Sequence, residues 1–307
     1  MSNRKVRANF LLLFSSFIWG SAFVAQRVGM EHIGPFTFNA VRMLVAGVAL
    51  SFVVFILRKT NKLDAKPGSY SKKALYAGGF FCGGVLFFAS SFQQAGLMFT
   101  TAGKAGFITT LYIIIVPVLG LFLKKKVGAK VWFSVLLGLT GLFFLSFVEN
   151  MQLNLGDVLM LFCAVGYAVH IIVVDHFATK ADSVKLSCFQ FFVAAFFSCI
   201  VMFVFESPDI TNILISWLPI IYVGVLSGAL GFTLQIIAQK DTSPAVAALL
   251  MSFEAVFAAL TGFVILSEVL TPRELIGCFL MFFAIVLAQM PGIGSSPATT
   301  QGTSNRS

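Results

Sequence analysis

Two ionisable side chains, Glu254 and His170, lie within long apolar stretches of this sequence. An ionisable group in an apolar medium is costly to bury and usually has a function. The carboxyl group of Glu254 could carry a proton or bind a substrate ammonium group, and His170 could relay a proton or donate to a substrate carboxylate. Either side chain could instead tie two neighbouring helices together. We predict that Glu254 is a proton-coupling residue and that His170 is part of a binding cavity.

Amide and aromatic side chains extend this candidate cavity. Gln93 and Gln235 coincide when the sequence is shifted by 142 residues, and each amide offers a donor and an acceptor. Trp19, Tyr112 and Tyr167 could stack on a ligand or on its cationic group. The alternatives are hydrogen bonds between helices for the amides and core packing for the aromatic rings. We predict that all five residues line the cavity.

Two basic residues also lie within apolar stretches. Arg42 follows Pro35 by seven residues, which is too deep for an anchor at a membrane surface, so direct substrate contact stays open for it. Lys104 lies near the start of its stretch, and its long side chain could extend to the surface. We expect Lys104 to be a gating or structural residue, with substrate contact as the alternative.

Membrane-spanning helices must position these residues. The chain is 58% hydrophobic and only 11% charged, whereas soluble domains carry about 25% charged residues. A bilayer about 30 Å thick requires about 20 helical residues, and the apolar stretches are long enough for ten such spans. They lie near residues 9–28, 35–57, 74–94, 100–123, 131–148, 157–178, 184–205, 214–238, 244–266 and 273–290. The predicted fold class is an all-α integral membrane protein.

The second half of the chain repeats the pattern of the first. A shift of 148 residues places Trp19 on Tyr167 and Arg42 on Gln190. Because each half has five spans, an odd number, the second half must enter the membrane in the opposite orientation. We therefore predict two inverted five-helix repeats, residues 9–148 and 149–290, between a cytoplasmic N-terminal segment, residues 1–8, and a disordered cytoplasmic tail, residues 291–307.

The basic residues predict the orientation in the membrane. If the N terminus is cytoplasmic, most of the 21 Lys and Arg residues fall on the cytoplasmic side, as the positive-inside rule expects. The net charge of +9 is then a topology signal and does not indicate nucleic acid as a partner. We expect a multi-pass protein of the cell (inner or plasma) membrane with both termini in the cytoplasm.

No motif in the sequence indicates a cofactor, a metal or ATP. All five Cys residues fall in predicted spans without CxxC spacing, and the three His residues are scattered, so neither disulfides nor a metal site are predicted. The phosphate-binding pattern GxxxxGK[ST] is absent, so ATP cannot drive the protein directly through such a loop. A proton gradient is the simplest remaining source of work.

Several of these residues carry a family resemblance. Trp19-Gly20-Ser21 in the first span, Pro35 followed by Arg42 in the second, and the segment ILSEVLTPRELIG with Glu268 resemble the ten-helix EamA-type members of the drug/metabolite transporter superfamily. The resemblance covers about residues 8 to 290. It implies a ten-helix transporter, a gating or structural role for Arg42, and substrates such as amino acids, sugars or other metabolites.

We therefore expect a secondary transporter that exports a small metabolite, such as an amino acid or a related amphiphile, by alternating access with protons as a coupling ion. Ten helices can enclose a site in one chain, so a monomer is sufficient. An uncoupled facilitator is the first alternative. An integral-membrane lipid-modifying enzyme would need a cluster of Asp, His, Ser or Cys near the interface, and a channel would need an oligomeric pore; the sequence indicates neither.

Overall fold

The computed structural model describes residues 3–60, 70–100, 102–125, 127–146, 154–266 and 271–290. Glu268 and the predicted tail, residues 291–307, lie outside the described residues. Every regular element within the described ranges is helical. The elements are α1 (Asn3–Gly29), α2 (Pro35–Lys59), α3 (Lys72–Leu97), α4 (Ala102–Thr110), α5 (Tyr112–Phe122), α6 (Ala129–Ser146), α7 (Leu155–Ala178), α8 (Ser183–Phe205), α9 (Ile210–Ile215), α10 (Trp217–Ile221), a π-helical segment (Tyr222–Phe232), α11 (Thr233–Ala238), α12 (Pro244–Met251), α13 (Glu254–Leu266) and α14 (Pro272–Gln289).

These elements form the ten predicted spans. In the part of the chain that the structure describes, nine segments are long and apolar enough to cross a membrane, and Ala129–Leu145 is a shorter apolar helix. We number the spans 1 to 10 in chain order: α1, α2, α3, α4 with α5, α6, α7, α8, α10 to α11, α12 with α13, and α14. The prediction of an all-α membrane protein is confirmed. The first helix already begins at Asn3, inside the segment that the sequence assigned to the cytoplasm.

Local sequence signals fix where the helices begin. Pro35 is the first residue of α2, where its missing N–H and its fixed φ angle suit a helix start. Asn154 and Asp157 form a capping box at the start of α7, and Thr271 and Glu274 form another at α14. Because each box satisfies N–H groups that have no partner within the helix, these spans begin close to the predicted residues.

Spans 4 and 9 are both broken at their centres, at positions that the shift of 142 residues makes equivalent. The first break is at Leu111, whose N–H bonds the Ile108 carbonyl at 3.2 Å, and the second is at Phe253, whose N–H bonds the Leu250 carbonyl at 3.3 Å. These tighter bonds between residues three apart interrupt the α-helical ladder. Irregular backbone inside a membrane is tolerated where protein buries it or where it lines a cavity, so the two breaks indicate a central site.

Span 8 contains an eleven-residue π-helical segment, Tyr222–Phe232. Two of its backbone carbonyls accept hydrogen bonds from span 1: Ser227 from Trp19 Nε1 at 3.0 Å, and Gly231 from Ser15 Oγ at 3.1 Å. A Cβ atom on Gly231 would lie 2.6 Å from Trp19 Nε1. Glycine at this position is therefore what allows the indole to reach the carbonyl of Ser227.

The two halves of the chain are intertwined. Span 1 packs mainly against spans 8 and 9, whereas span 6 packs mainly against spans 3 and 4. Span 2 contacts span 7, its equivalent in the other repeat. Span 3 contacts span 7, and the equivalent span 8 contacts span 2. Span 5 contacts span 10 in the same way. This exchange pattern is what two repeats related by an approximate two-fold axis produce.

Candidate functional site

A central cavity lies between the two halves. It contains about 510 Å³ of empty space, including the part that is open to solvent. Spans 1, 2, 3, 4, 6, 8 and 9 contribute its walls. The lining residues are Trp19, Phe23, Gln26, Arg42, Gln93, Thr109, Tyr112, Tyr167, His170, Ile171, Ser227, Phe232, Gln235, Met251 and Glu254. The six side chains predicted as cavity residues, together with Glu254 and Arg42, are all among them.

Lys104 is the one predicted site residue that the cavity does not include. Its Nζ lies 2.7 Å from Asp157 Oδ2 in a salt bridge between α4 and the start of α7. Asp157 also belongs to the capping box of α7. Lys104 therefore joins span 4 to span 6 at one end of the membrane domain, on the side opposite the N terminus, and its gating or structural role stays a prediction.

Glu254 and Tyr112 meet across the cavity. Tyr112 Oη donates to Glu254 Oε1 at 3.1 Å, and both side chains are buried. Each is the first helical residue after the break in its span, and the shift of 142 residues superposes them. The hydrogen bond thus joins two equivalent points of spans 4 and 9. No salt bridge to Glu254 occurs among the residues described.

Arg42 enters the cavity from span 2 with neutral partners. Its Nε and Nη2 donate to Asn39 Oδ1 at 3.1 and 2.9 Å, and its Nη1 donates to Gln26 Oε1 at 3.3 Å. Only 7% of the side chain is exposed. With 1.5 Å of rise per residue, Arg42 lies about 10 Å from the start of α2 at Pro35. The guanidinium group is a buried positive charge that lines the cavity.

Two buried polar atoms in the cavity wall lack a partner. His170 Nε2 lies 3.2 Å from Gln190 Oε1, while Nδ1 has no hydrogen bond among the described residues. Gln235 Nε2 donates to Gln239 Oε1 at 2.9 Å, while Gln235 Oε1 has no hydrogen bond. Gln235 Oε1 is an acceptor, and His170 Nδ1 accepts or donates according to the tautomer of the ring. Both atoms can hydrogen-bond a ligand or a water molecule in the cavity.

Aromatic rings provide part of the apolar surface of the cavity. Trp19 packs on Phe232 with ring centroids 4.9 Å apart, and Phe232 also contacts the His170 ring at 5.6 Å. Tyr167 Oη donates to Gln93 Oε1 at 3.1 Å, which orients both side chains. Each polar tip is therefore bonded to protein, and the ring faces remain for contact with a ligand.

Sequence reasoning did not single out several lining residues. Gln26 carried a usable signal, because it is a polar residue within an apolar stretch. Phe23, Phe232 and Met251 carried none, since Phe and Met are frequent throughout the spans. Asn39, which holds Arg42 from outside the cavity wall, also carried the signal of a polar residue in an apolar stretch and was missed.

The sequence matches the family described as EamA-like transporters twice, over residues 6–147 and 154–290. The chain belongs to the EamA-like transporter family. Family membership establishes a multi-pass membrane transporter and implies a small-molecule substrate.

Individual relatives agree with this assignment. An uncharacterized transporter of Archaeoglobus fulgidus is 30% identical over 289 residues, covering 94% of this chain and 87% of the relative. The uncharacterized transporter YoaV of Bacillus subtilis is 22% identical over 89% of this chain and 93% of its own length. A chloroplastic WAT1-related protein of Arabidopsis thaliana is 25% identical over 92% of this chain and 69% of its own length.

The crystal structure of another protein has the same fold. It superposes with a TM-score of 0.73 over 92% of this chain and 96% of the other, at 18% sequence identity. At that identity the likeness establishes the fold alone. Both the sequence match and the structural match extend over nearly all of the spans described above.

Proposed function

We propose that this EamA-like transporter moves a small metabolite, such as an amino acid or a related amphiphile, by alternating access, and that Glu254 couples this movement to protons. One observation carries the proposal. The carboxyl group of Glu254 lies in the central cavity with 5% of its surface exposed and with a neutral phenol as its hydrogen-bond partner. A carboxyl group in that setting can exchange a proton or bind a substrate ammonium group, but it cannot do both at once.

This competition supplies the coupling. If substrate and proton share one carboxyl group, release of the substrate on one side is followed by protonation, and loss of the proton on the other side frees the site again. Net movement then exchanges substrate for protons. Under an inward proton gradient the exchange exports the substrate, which is the direction we propose.

The contacts between helices suggest which parts move. Spans 3, 4 and 6 form one unit, and spans 8, 9 and 1 form the other. Ion pairs hold span 4 to span 6 near both membrane surfaces: Lys104 with Asp157, and Lys125 with Asp175. The moving units are therefore mixtures of both repeats, because each repeat contributes its first helix to the unit of the other.

The Tyr112–Glu254 hydrogen bond connects the two units. Tyr112 belongs to span 4 and Glu254 to span 9, whereas the Trp19–Ser227 and Tyr167–Gln93 bonds lie within one unit each. A change at the Glu254 carboxyl group, whether by protonation or by substrate, therefore alters a link between the parts that must separate. This arrangement supports proton-coupled alternating access over simple facilitated passage.

We further propose that the protein lies in the cell membrane with both termini in the cytoplasm, as the basic residues indicate. The cavity is formed within one chain, so a monomer can carry out transport.

Transport into proteoliposomes tests the proposal. The measurement is uptake of a labelled panel of amino acids and other metabolites, with and without an imposed pH gradient. We expect saturable, gradient-driven uptake by the wild type and loss of its pH dependence in Glu254→Gln. The matched control is Glu31→Gln, which makes the same change at an exposed carboxylate between α1 and α2.

Two results would count against the proposal. Equal uptake by wild type and Glu254→Gln, indifferent to pH, would remove Glu254 from the mechanism and leave an uncoupled facilitator. An equal loss of pH dependence in Glu31→Gln would show that the effect does not come from the cavity.

A further inference from the structure

We propose that Arg42 binds the carboxylate of the transported solute, which makes the cavity a site for apolar monocarboxylates. The inference rests on the proposed transport function and names the substrate chemistry of the same cavity. It changes the role of Arg42 from a gating or structural residue to a direct ligand of the substrate.

Arg42 carries a positive charge that has no charged partner among the described residues. The guanidinium is buried, and its side-chain partners, Asn39 and Gln26, are neutral. The salt bridges among the described residues join Lys104 to Asp157 and Lys125 to Asp175, so neither involves Arg42. Buried charges in proteins are normally paired, and here the cavity is where a counter-ion can bind.

Arg42 has more hydrogen-bond donors than Asn39 and Gln26 use. A guanidinium has five N–H groups, and three of them bond Asn39 Oδ1 and Gln26 Oε1. Two remain, one on each terminal nitrogen, and the Tyr167 hydroxyl lies beside the group. A carboxylate offers two oxygens with a full negative charge, and it is a stronger acceptor for this pair of donors than a neutral hydroxyl.

Asn39 holds the Arg42 side chain in a fixed orientation. Asn39 Nδ2 lies within hydrogen-bond distance of Ser90 Oγ at 3.2 Å, Ser91 Oγ at 3.3 Å and Ser198 Oγ at 3.1 Å. These three hydroxyls come from spans 3 and 7, and they direct the amide oxygen of Asn39 towards Arg42. The guanidinium is thereby oriented before a ligand arrives, which reduces the entropy lost on binding.

The charges in the cavity select the class of anion. The lining contains one guanidinium group, Arg42, and one carboxyl group, Glu254; when Glu254 carries a proton, the single positive charge balances a monoanion and not a phosphate dianion. Its other surfaces are largely apolar, with Trp19, Phe23 and Phe232 among them. Glu254 and the unpartnered Gln235 Oε1 can accept from an amino or hydroxyl group. The site therefore requires a solute with a carboxylate at one end of an apolar body. An amino group that donates to Glu254 or to Gln235 Oε1 is compatible with this requirement.

Ligand binding to the full-length protein in detergent tests this. The probes are leucine, its deaminated analogue 4-methylpentanoate, leucine methyl ester and the decarboxylated analogue 3-methylbutylamine, each followed by calorimetry and by ligand-induced thermal shift. We expect both acids to bind the wild type and the ester and the amine to bind at least about tenfold more weakly, since a charge-assisted pair is lost. Equal binding of all four probes, or binding of none, overturns the proposal.

Variants assign the effect to Arg42. We expect Arg42→Gln to weaken binding of both acids about 10- to 100-fold and to abolish their advantage over the ester. Arg27→Gln is the matched control, because Arg27 is an exposed residue in the last turn of α1, and binding should be unchanged. Ser198→Ala leaves Arg42 in place and removes one anchor of Asn39, so a smaller loss confined to the acids is expected. Unchanged acid binding by Arg42→Gln overturns the proposal.

The binding assay and the transport assay can each reject one proposal without rejecting the other. Carboxylate-selective binding without saturable uptake would retain the Arg42 site and reject the transport function proposed above. Saturable, pH-driven uptake of a solute that has no carboxylate would retain the transport function and reject the Arg42 site.

Discussion

Replacing Gly20 with alanine perturbs the contact that holds Glu254 in place. Gly20 lies in span 1 against the start of α13. A Cβ atom there would be 2.5 Å from the Glu254 carbonyl oxygen, 2.7 Å from Phe257 Cβ and 2.8 Å from the Ala258 nitrogen. Two of these three atoms are backbone atoms, so no side-chain rotation can make room. Spans 1 and 9 must separate locally.

The separation can be estimated from the contacts. Ordinary van der Waals contact begins near 3.4 Å, so α1 and α13 must move apart by about 0.6 to 0.9 Å. Overpacking of this kind costs about 1 to 3 kcal/mol. At about 2 to 4 °C per kcal/mol, we expect the melting temperature to fall by about 2 to 12 °C. Glu254 moves with the backbone, so the rate of proton-driven uptake should also fall.

The assay compares two alanine variants in the same detergent. Gly84→Ala is the control, because a Cβ at Gly84 has nothing within 4 Å and alanine favours a helix over glycine. Thermal unfolding and proteoliposome uptake are measured for both variants and the wild type. We expect Gly20→Ala alone to melt earlier and transport more slowly. A melting temperature for Gly20→Ala at or above that of Gly84→Ala would refute the close-contact reasoning.

Two further predictions concern pairs of side chains. Tyr112→Phe keeps the ring and removes the hydroxyl that donates to Glu254 at 3.1 Å. Because a hydrogen bond to a charged group contributes about 1.5 to 3 kcal/mol, proton-driven uptake should slow and its pH profile should change. An unchanged pH profile would contradict the proposed link. Asp157→Asn removes the buried charge that pairs with Lys104, and breaking a buried ion pair costs about 3 to 5 kcal/mol. Asp175→Asn removes a more exposed pair and should cost less than about 1 kcal/mol. Thermal melting should therefore rank Asp157→Asn well below Asp175→Asn, and equal melting temperatures would show that burial does not control these pairs.

The sequence by itself determined the spans and most of the cavity. Hydropathy is a local property, and in lipid every spanning segment must satisfy its own backbone hydrogen bonds, so apolar length alone located the ten segments within a few residues. The same physics marked the lining residues Trp19, Gln93, His170 and Glu254, because a side chain with polar atoms inside a span has few stable positions other than the protein interior.

Only the tertiary structure decided the partners. Arg42 and Lys104 are both basic residues within spans, yet Lys104 pairs with Asp157 whereas Arg42 faces the cavity with neutral partners. Gln93 and Gln235 are equivalent in the repeat, yet one bonds Tyr167 and the other Gln239. These differences depend on which helices lie against one another, and such contacts join residues far apart in sequence.

The central breaks and the π-helical segment also came from the tertiary structure. The intrinsic preferences of residues such as Leu111 and Phe253 do not disfavour a helix enough to mark a break, and Tyr222–Phe232 carries no unusual local signal beyond its glycines. The irregular backbone is stabilised by neighbours, as when Trp19 bonds the Ser227 carbonyl. A backbone conformation supported by another helix cannot be read from its own residues, and this is why the sequence located the cavity but not its shape.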